Sequence, residues 1–158
     1  MKNTISIKRN ELQQQIDLRN YYMGESAKRK DNDAVTIQSS NDDNELLCMF
    51  ITRACNELVT AVALRFPYIS ATVGNEDIEI TFNTENEYPE HLLPMLEHSI
   101  FNYLVNESIM QWLLVRRPDM AQSYISLRAT LYSNVQHLFA KIYSRKKIRR
   151  RATNLAGI

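Results

Sequence analysis

Six of the seven residues from 145 to 151 are basic: Arg145, Lys146, Lys147, Arg149, Arg150 and Arg151, with Ile148 among them. Such a run can neutralise phosphates, and each neutralised phosphate releases condensed counterions. It carries no base-reading pattern, so nucleic-acid binding through it would tolerate any sequence and weaken with salt. An acidic protein surface would satisfy it equally well. Two or three cations suffice to complement a helix dipole, so six imply a partner. Arg116-Arg117 and Lys28-Arg29-Lys30 extend the candidate contact surface.

Other reactive residue types are dispersed. His91 and His98 are seven residues apart, wider than the i,i+4 pair that chelates zinc on a helix, and His137 stands alone. Cys48 and Cys55 also lie seven apart on one expected helix, about 10 Å by helix geometry, too far for a disulfide. They read as buried thiols. Glu76, Asp77, Glu79, Glu85, Glu87 and Glu90 cluster in sequence, but no nucleophile, lysine or phosphate loop accompanies them. The first five are the candidate acidic partner face. Gly24, Gly74 and Gly157 are isolated, and no Ser or Thr lies in a strand-turn-helix nucleophile setting. The expectation is a protein that is not an enzyme and uses no cofactor or metal.

The formal net charge of +1 conceals a division. Residues 1–30 carry seven basic and three acidic side chains, residues 31–107 two and fourteen, and residues 108–158 ten and one. The balances are +4, −12 and +9. Basic ends and an acidic middle can neutralise each other within a fold, or make one subunit complementary to the next.

The elements that must position these groups are mainly helical. Three Gly and four Pro in 158 residues argue against a turn-rich all-β chain, and 44% hydrophobic content supports one core domain. The N-terminus lacks the apolar core of a signal peptide, and no run of eighteen apolar residues is present. Residues 2–8 are expected as a strand or extended arm, and residues 11–22 as a modest first helix. Residues 24–40, poor in hydrophobes, read as a linker.

Asp42–Phe66 is expected as the central core helix, because its apolar residues fill more than one stripe. Arg53, Asn56 and Glu57 argue against inserting it in a membrane. Tyr68–Val73 and Asp77–Phe82 flank Gly74-Asn75-Glu76 as a β-hairpin. Pro89–Arg116 and Asp119–Arg151 are two helices joined tightly at Pro118, hence an antiparallel pair. In the second, Tyr124, Tyr132, Phe139 and Tyr143 recur at helical spacing, which suits a core or interface better than a stacking platform for bases. The fold class expected is therefore a mainly α bundle of three to four helices with one small β-hairpin and extended termini. The divisions are an arm, short helix and linker at 1–40, a helical core at 41–144 with its hairpin at 68–83, and a basic end and tail at 145–158.

This order of parts resembles the head–tail connector (adaptor, or neck) proteins of tailed bacteriophages. The features that carry the likeness are the core helix, the hairpin, the helix pair and the tail Ala152–Ile158. The resemblance implies a structural virion protein, assembled in a host cytoplasm, whose copies form a ring between a portal and a tail or neck protein. Self, portal and neck protein are the partners implied; DNA phosphate is a further, non-specific one, and no membrane is expected. The alternative is a sequence-tolerant nucleic-acid-binding helical module that uses the basic end of its last helix.

Overall fold

A computed structural model of the chain describes residues 1–31, 37–84 and 90–143. It is mainly α, with four helices and a small antiparallel sheet. The elements are β1 (Lys2–Lys8), α1 (Arg9–Asp31), α2 (Asn44–Ala63), β2 (Ile69–Val73), β3 (Asp77–Asn83), α3 (Leu92–Arg116) and α4 (Gln122–Tyr143). Single 3-10 turns at Asn41–Asp43 and Pro118–Met120 lead into α2 and α4. Arg145, Lys146, Lys147, Arg149, Arg150, Arg151, Glu85 and Glu87 lie outside the described residues, as do the side chains of Lys28, Arg29 and Lys30.

The hairpin has a third strand. β1 pairs antiparallel with β3 from Lys2 opposite Asn83 to Lys8 opposite Asp77, and β2 pairs with the other side of β3, giving the order β1-β3-β2. A two-stranded ribbon is marginal by itself, and the N-terminal segment supplies the missing neighbour. Ile5, Ile7, Ile78, Ile80 and Phe82 point to one face and are buried there, with Ile69, Ala71 and Val73 beside them. Gly74 closes the turn by donating its N–H to the Asp77 carbonyl at 2.9 Å. A Cβ at Gly74 would lie only 3.1 Å from that same oxygen, so a side chain there would press on the turn.

Helix α1 runs through Asp31, well beyond Tyr22 and into the segment read as linker. Its buried stripe is one residue wide: Leu12, Ile16, Asn20, Gly24 and Ala27. The last three are polar or small, which conceals a buried helical face from a hydrophobicity pattern. Farther on, Ile37 is fully buried, and its carbonyl accepts a 2.7 Å hydrogen bond from the Trp112 indole N–H. Part of the expected linker therefore belongs to the core.

The central helix is also different from the one expected. In α2 the buried residues Leu47, Phe50, Ile51, Ala54, Cys55, Leu58 and Val62 make one stripe, while Met49, Arg53 and Asn56 face outward. By length and composition α2 is apolar enough to cross a membrane, yet only one of its faces is packed. Helix α3 takes the centre instead. Every residue from Tyr103 to Leu113 is buried, because α1, α2, α4 and β1 all pack around it. Asn106, Glu107, Ser108 and Gln111 interrupt its apolar pattern, so the sequence understates its burial.

Candidate interaction surfaces

Arg116 and Arg117 end α3, where cations complement the helix dipole. Each is engaged inside the domain. Arg116 reaches the Asp43 carboxylate at 2.7 Å and lies 4.7 Å from the centre of the Trp112 ring. Asp43 also accepts hydrogen bonds from the Ser40 backbone N–H and hydroxyl, and these together with Arg116 hold its pKa below the ordinary carboxylate value. Arg117 pairs with Asp119 through two hydrogen bonds of 2.9 and 3.0 Å, which lower the Asp119 pKa. Any phosphate contact by either arginine would compete with these bonds.

The candidate acidic residues do not form one uniform face. Asp77 and Glu79 project from the polar side of β3, and Glu76 sits in the turn. Asp77 stands opposite Lys8, whereas Glu79 stands between Ser6 and Thr72. Among the described residues no basic side chain pairs with Glu79.

The structure brings together a second group of charges that the sequence pattern did not single out. Helices α2 and α4 flank α3 and leave a cleft of about 870 Å³ between them. Glu107 lies at its floor with a side chain only 1% exposed, and forms an ion pair with Arg128, whose Nε is 2.9 Å from its carboxylate. The Gln111 amide donates to its other oxygen at 3.4 Å. Arg128 also approaches Glu57 of α2 at 3.6 Å, and Glu57 is bound by Arg53 one turn earlier at 2.8 Å.

Burial disfavours the Glu107 charge and raises its pKa, although Arg128 acts in the opposite direction. Burial likewise opposes the Arg128 charge, but Glu107, Tyr103 and Glu57 outweigh it, and its pKa rises. The Tyr103 hydroxyl is pushed up chiefly by burial and then by Glu107. These groups form a small charge network under a partly apolar rim. Leu64, Leu114 and Val115 line this cleft and Ile125 an adjoining hollow, and all are exposed. Asn106-Glu107-Ser108 inside an apolar helix was the available sequence signal, since a polar run flanked by core residues marks a polar group inside the fold.

The remaining reactive types are scattered. His98 shares a 2.9 Å hydrogen bond with Asn102, one turn away on α3. Cys55 is fully buried and its thiol pKa is pushed up to about 11, which makes it a poor nucleophile. Cys48 is half-buried and unbridged. Among the described residues, no group of three or more His, Cys, Asp or Glu side chains converges as metal ligands. Compared with protein-family models, curated proteins and solved structures, the chain matches none.

Proposed function

We propose that this chain is a structural subunit that assembles with copies of itself into a ring, the head–tail connector role implied by its resemblance to phage adaptor proteins. The observation that carries the reading is the cleft between α2 and α4. Its lining includes the exposed side chains of Leu64, Leu114 and Val115, in a domain whose charge network is internal and mostly spent on itself. Exposed apolar side chains along one cleft suit a surface that another protein covers. The charge division supports the same reading, because the +9 end of one copy can meet the −12 body of another. On this reading the portal and the tail or neck protein are the outer partners.

Light scattering with negative-stain microscopy of the full chain tests it. The expected result is closed annular particles, alone or upon addition of a portal ring. A chain that stays monomeric in both conditions overturns the reading. The alternative, sequence-tolerant nucleic-acid binding, rests on the six cations at 145–151. It predicts tight duplex or single-strand binding at low salt, a steep loss as salt rises, and abolition by deleting residues 145–158.

A further inference from the structure

We infer that the outer edge of β2 pairs with β1 of a second copy, the two strands running parallel, so that neighbouring subunits share one continuous mixed sheet. The inference rests on the self-assembling reading above and specifies its contact surface.

The sheet has three strands and therefore two edges, β1 and β2. Among the described residues, no backbone hydrogen bond from another segment reaches residues 69–73 on the side away from β3. An open edge offers a row of unpaired N–H and C=O groups, and proteins normally guard it with charge, proline or a bulge. β2, Ile69-Ser70-Ala71-Thr72-Val73, has none of these, and its register with β3 is unbroken. β1 is chemically different, with Lys2 and Lys8 on its polar side. Strand β3, between them, carries Asp77 and Glu79.

The occupant follows from faces and charges. In both edge strands alternate residues turn inward: Asn3, Ile5 and Ile7 in one, Ile69, Ala71 and Val73 in the other. Adding β1 of another copy beside β2 thus continues both the apolar and the polar layer. It brings two lysines within two strands of Glu79, about 10 Å between backbones and within the combined reach of both side chains. It also occupies both edges of every subunit. Pairing β2 with β2 across a two-fold would leave each β1 edge open. A head-to-tail contact of this kind is heterologous and closes into a ring when its rotation allows. Tyr68 adds a second observation at the same place. It is the one described non-glycine residue with positive φ, at 69°, and the residue is 76% exposed immediately before β2. Backbone strain of this kind clusters at functional sites.

Cysteine pairs test the contact. Ser6 and Thr72 flank Glu79 on the exposed polar side, two strands apart. Their separation of about 10 Å exceeds disulfide reach, so a chain carrying Ser6→Cys and Thr72→Cys cannot close on itself. Four double variants, with cysteine at 4 or 6 and at 70 or 72, cover the possible registers in a Cys48→Ala background. At least one should give an oxidant-dependent ladder of covalent multimers, while each single variant gives none. Backbone amides of β2 should exchange at least 10-fold more slowly in the assembly than in the dissociated chain. A uniform ring with no ladder and unprotected β2 amides overturns the strand pairing and leaves the ring reading intact. Dimers from Ser70→Cys or Thr72→Cys alone overturn it in favour of two-fold pairing. A chain that is monomeric throughout, without a ladder, overturns both.

Discussion

The space between α2 and α4 is spanned at one end and near its middle by opposite chemistry. At one end Phe66, Phe82, Phe139 and Tyr143 form a cluster, with Phe82 edge-on to Phe139 at 5.4 Å and Phe66 stacked on it at 5.9 Å. Tyr143 joins Phe66 at 5.2 Å. Nearer the middle, the helices are bridged by Arg128 between Glu57 and Glu107. Aromatic contact is insensitive to pH and salt, and stabilises through buried area and ring geometry. A half-exposed ion bridge over a buried carboxylate barely offsets its own desolvation. The domain is therefore fastened at the aromatic end, and the bridge sets the width of the cleft.

The largest expected effect breaks the aromatic end. Phe82 is fully buried, so Phe82→Ala should cost about 3–5 kcal/mol in chemical denaturation. Next is Arg128→Met, which strands the Glu107 carboxylate. Removing one partner of a fully buried pair costs about 3–5 kcal/mol. The Arg128 side chain is 45% exposed, so water screens the loss and about 2 kcal/mol is expected. Adding Glu107→Gln should restore most of that stability.

Glu107→Gln alone sharpens the contrast through pH. Because the folded-state pKa of Glu107 is raised, its contribution is fully present below the ordinary value of 4.5 and lost as pH rises through the folded value. The glutamine variant should therefore gain stability relative to the wild type as pH rises through that window, measured by thermal melts. Phe82→Ala should show no such pH dependence beyond that of the wild type.

Tyr68→Gly, at the strained entry to β2, should stabilise the isolated chain by about 1 kcal/mol, since left-handed backbone costs a non-glycine residue about 1–2 kcal/mol. The smallest effect is expected from Arg53→Ala. Its exposed i,i+4 bond to Glu57 is of a kind that contributes about 0.3–0.5 kcal/mol.

The parts written in short, regular patterns could be read directly from the residues. The hairpin around Gly74, the helix closed by Arg116-Arg117-Pro118, and the amphipathic last helix as far as Tyr143 lie where alternation and three- and four-residue spacing place them. Long-range pairings could not be read this way. Nothing local in Lys2–Lys8 states that its partner is Asp77–Asn83, and a stripe made of Asn20, Gly24 and Ala27 has no hydrophobic signature. Burial of α3 was hidden by Asn106, Glu107, Ser108 and Gln111; of these, Asn106 donates to the Tyr124 carbonyl and Glu107 pairs with Arg128, both on α4. The candidate surfaces divide in the same manner. Arg116 and Arg117 were visible as cations, but their acids, Asp43 and Asp119, follow only from the fold.

Self-assembly is the central claim, and native mass spectrometry of the full chain across a protein-concentration series measures it most directly. The account predicts one dominant multimer of fixed subunit number, converting to monomer as salt is raised and the charge blocks are screened. A monomer at every concentration, including in the presence of a portal ring, would contradict it.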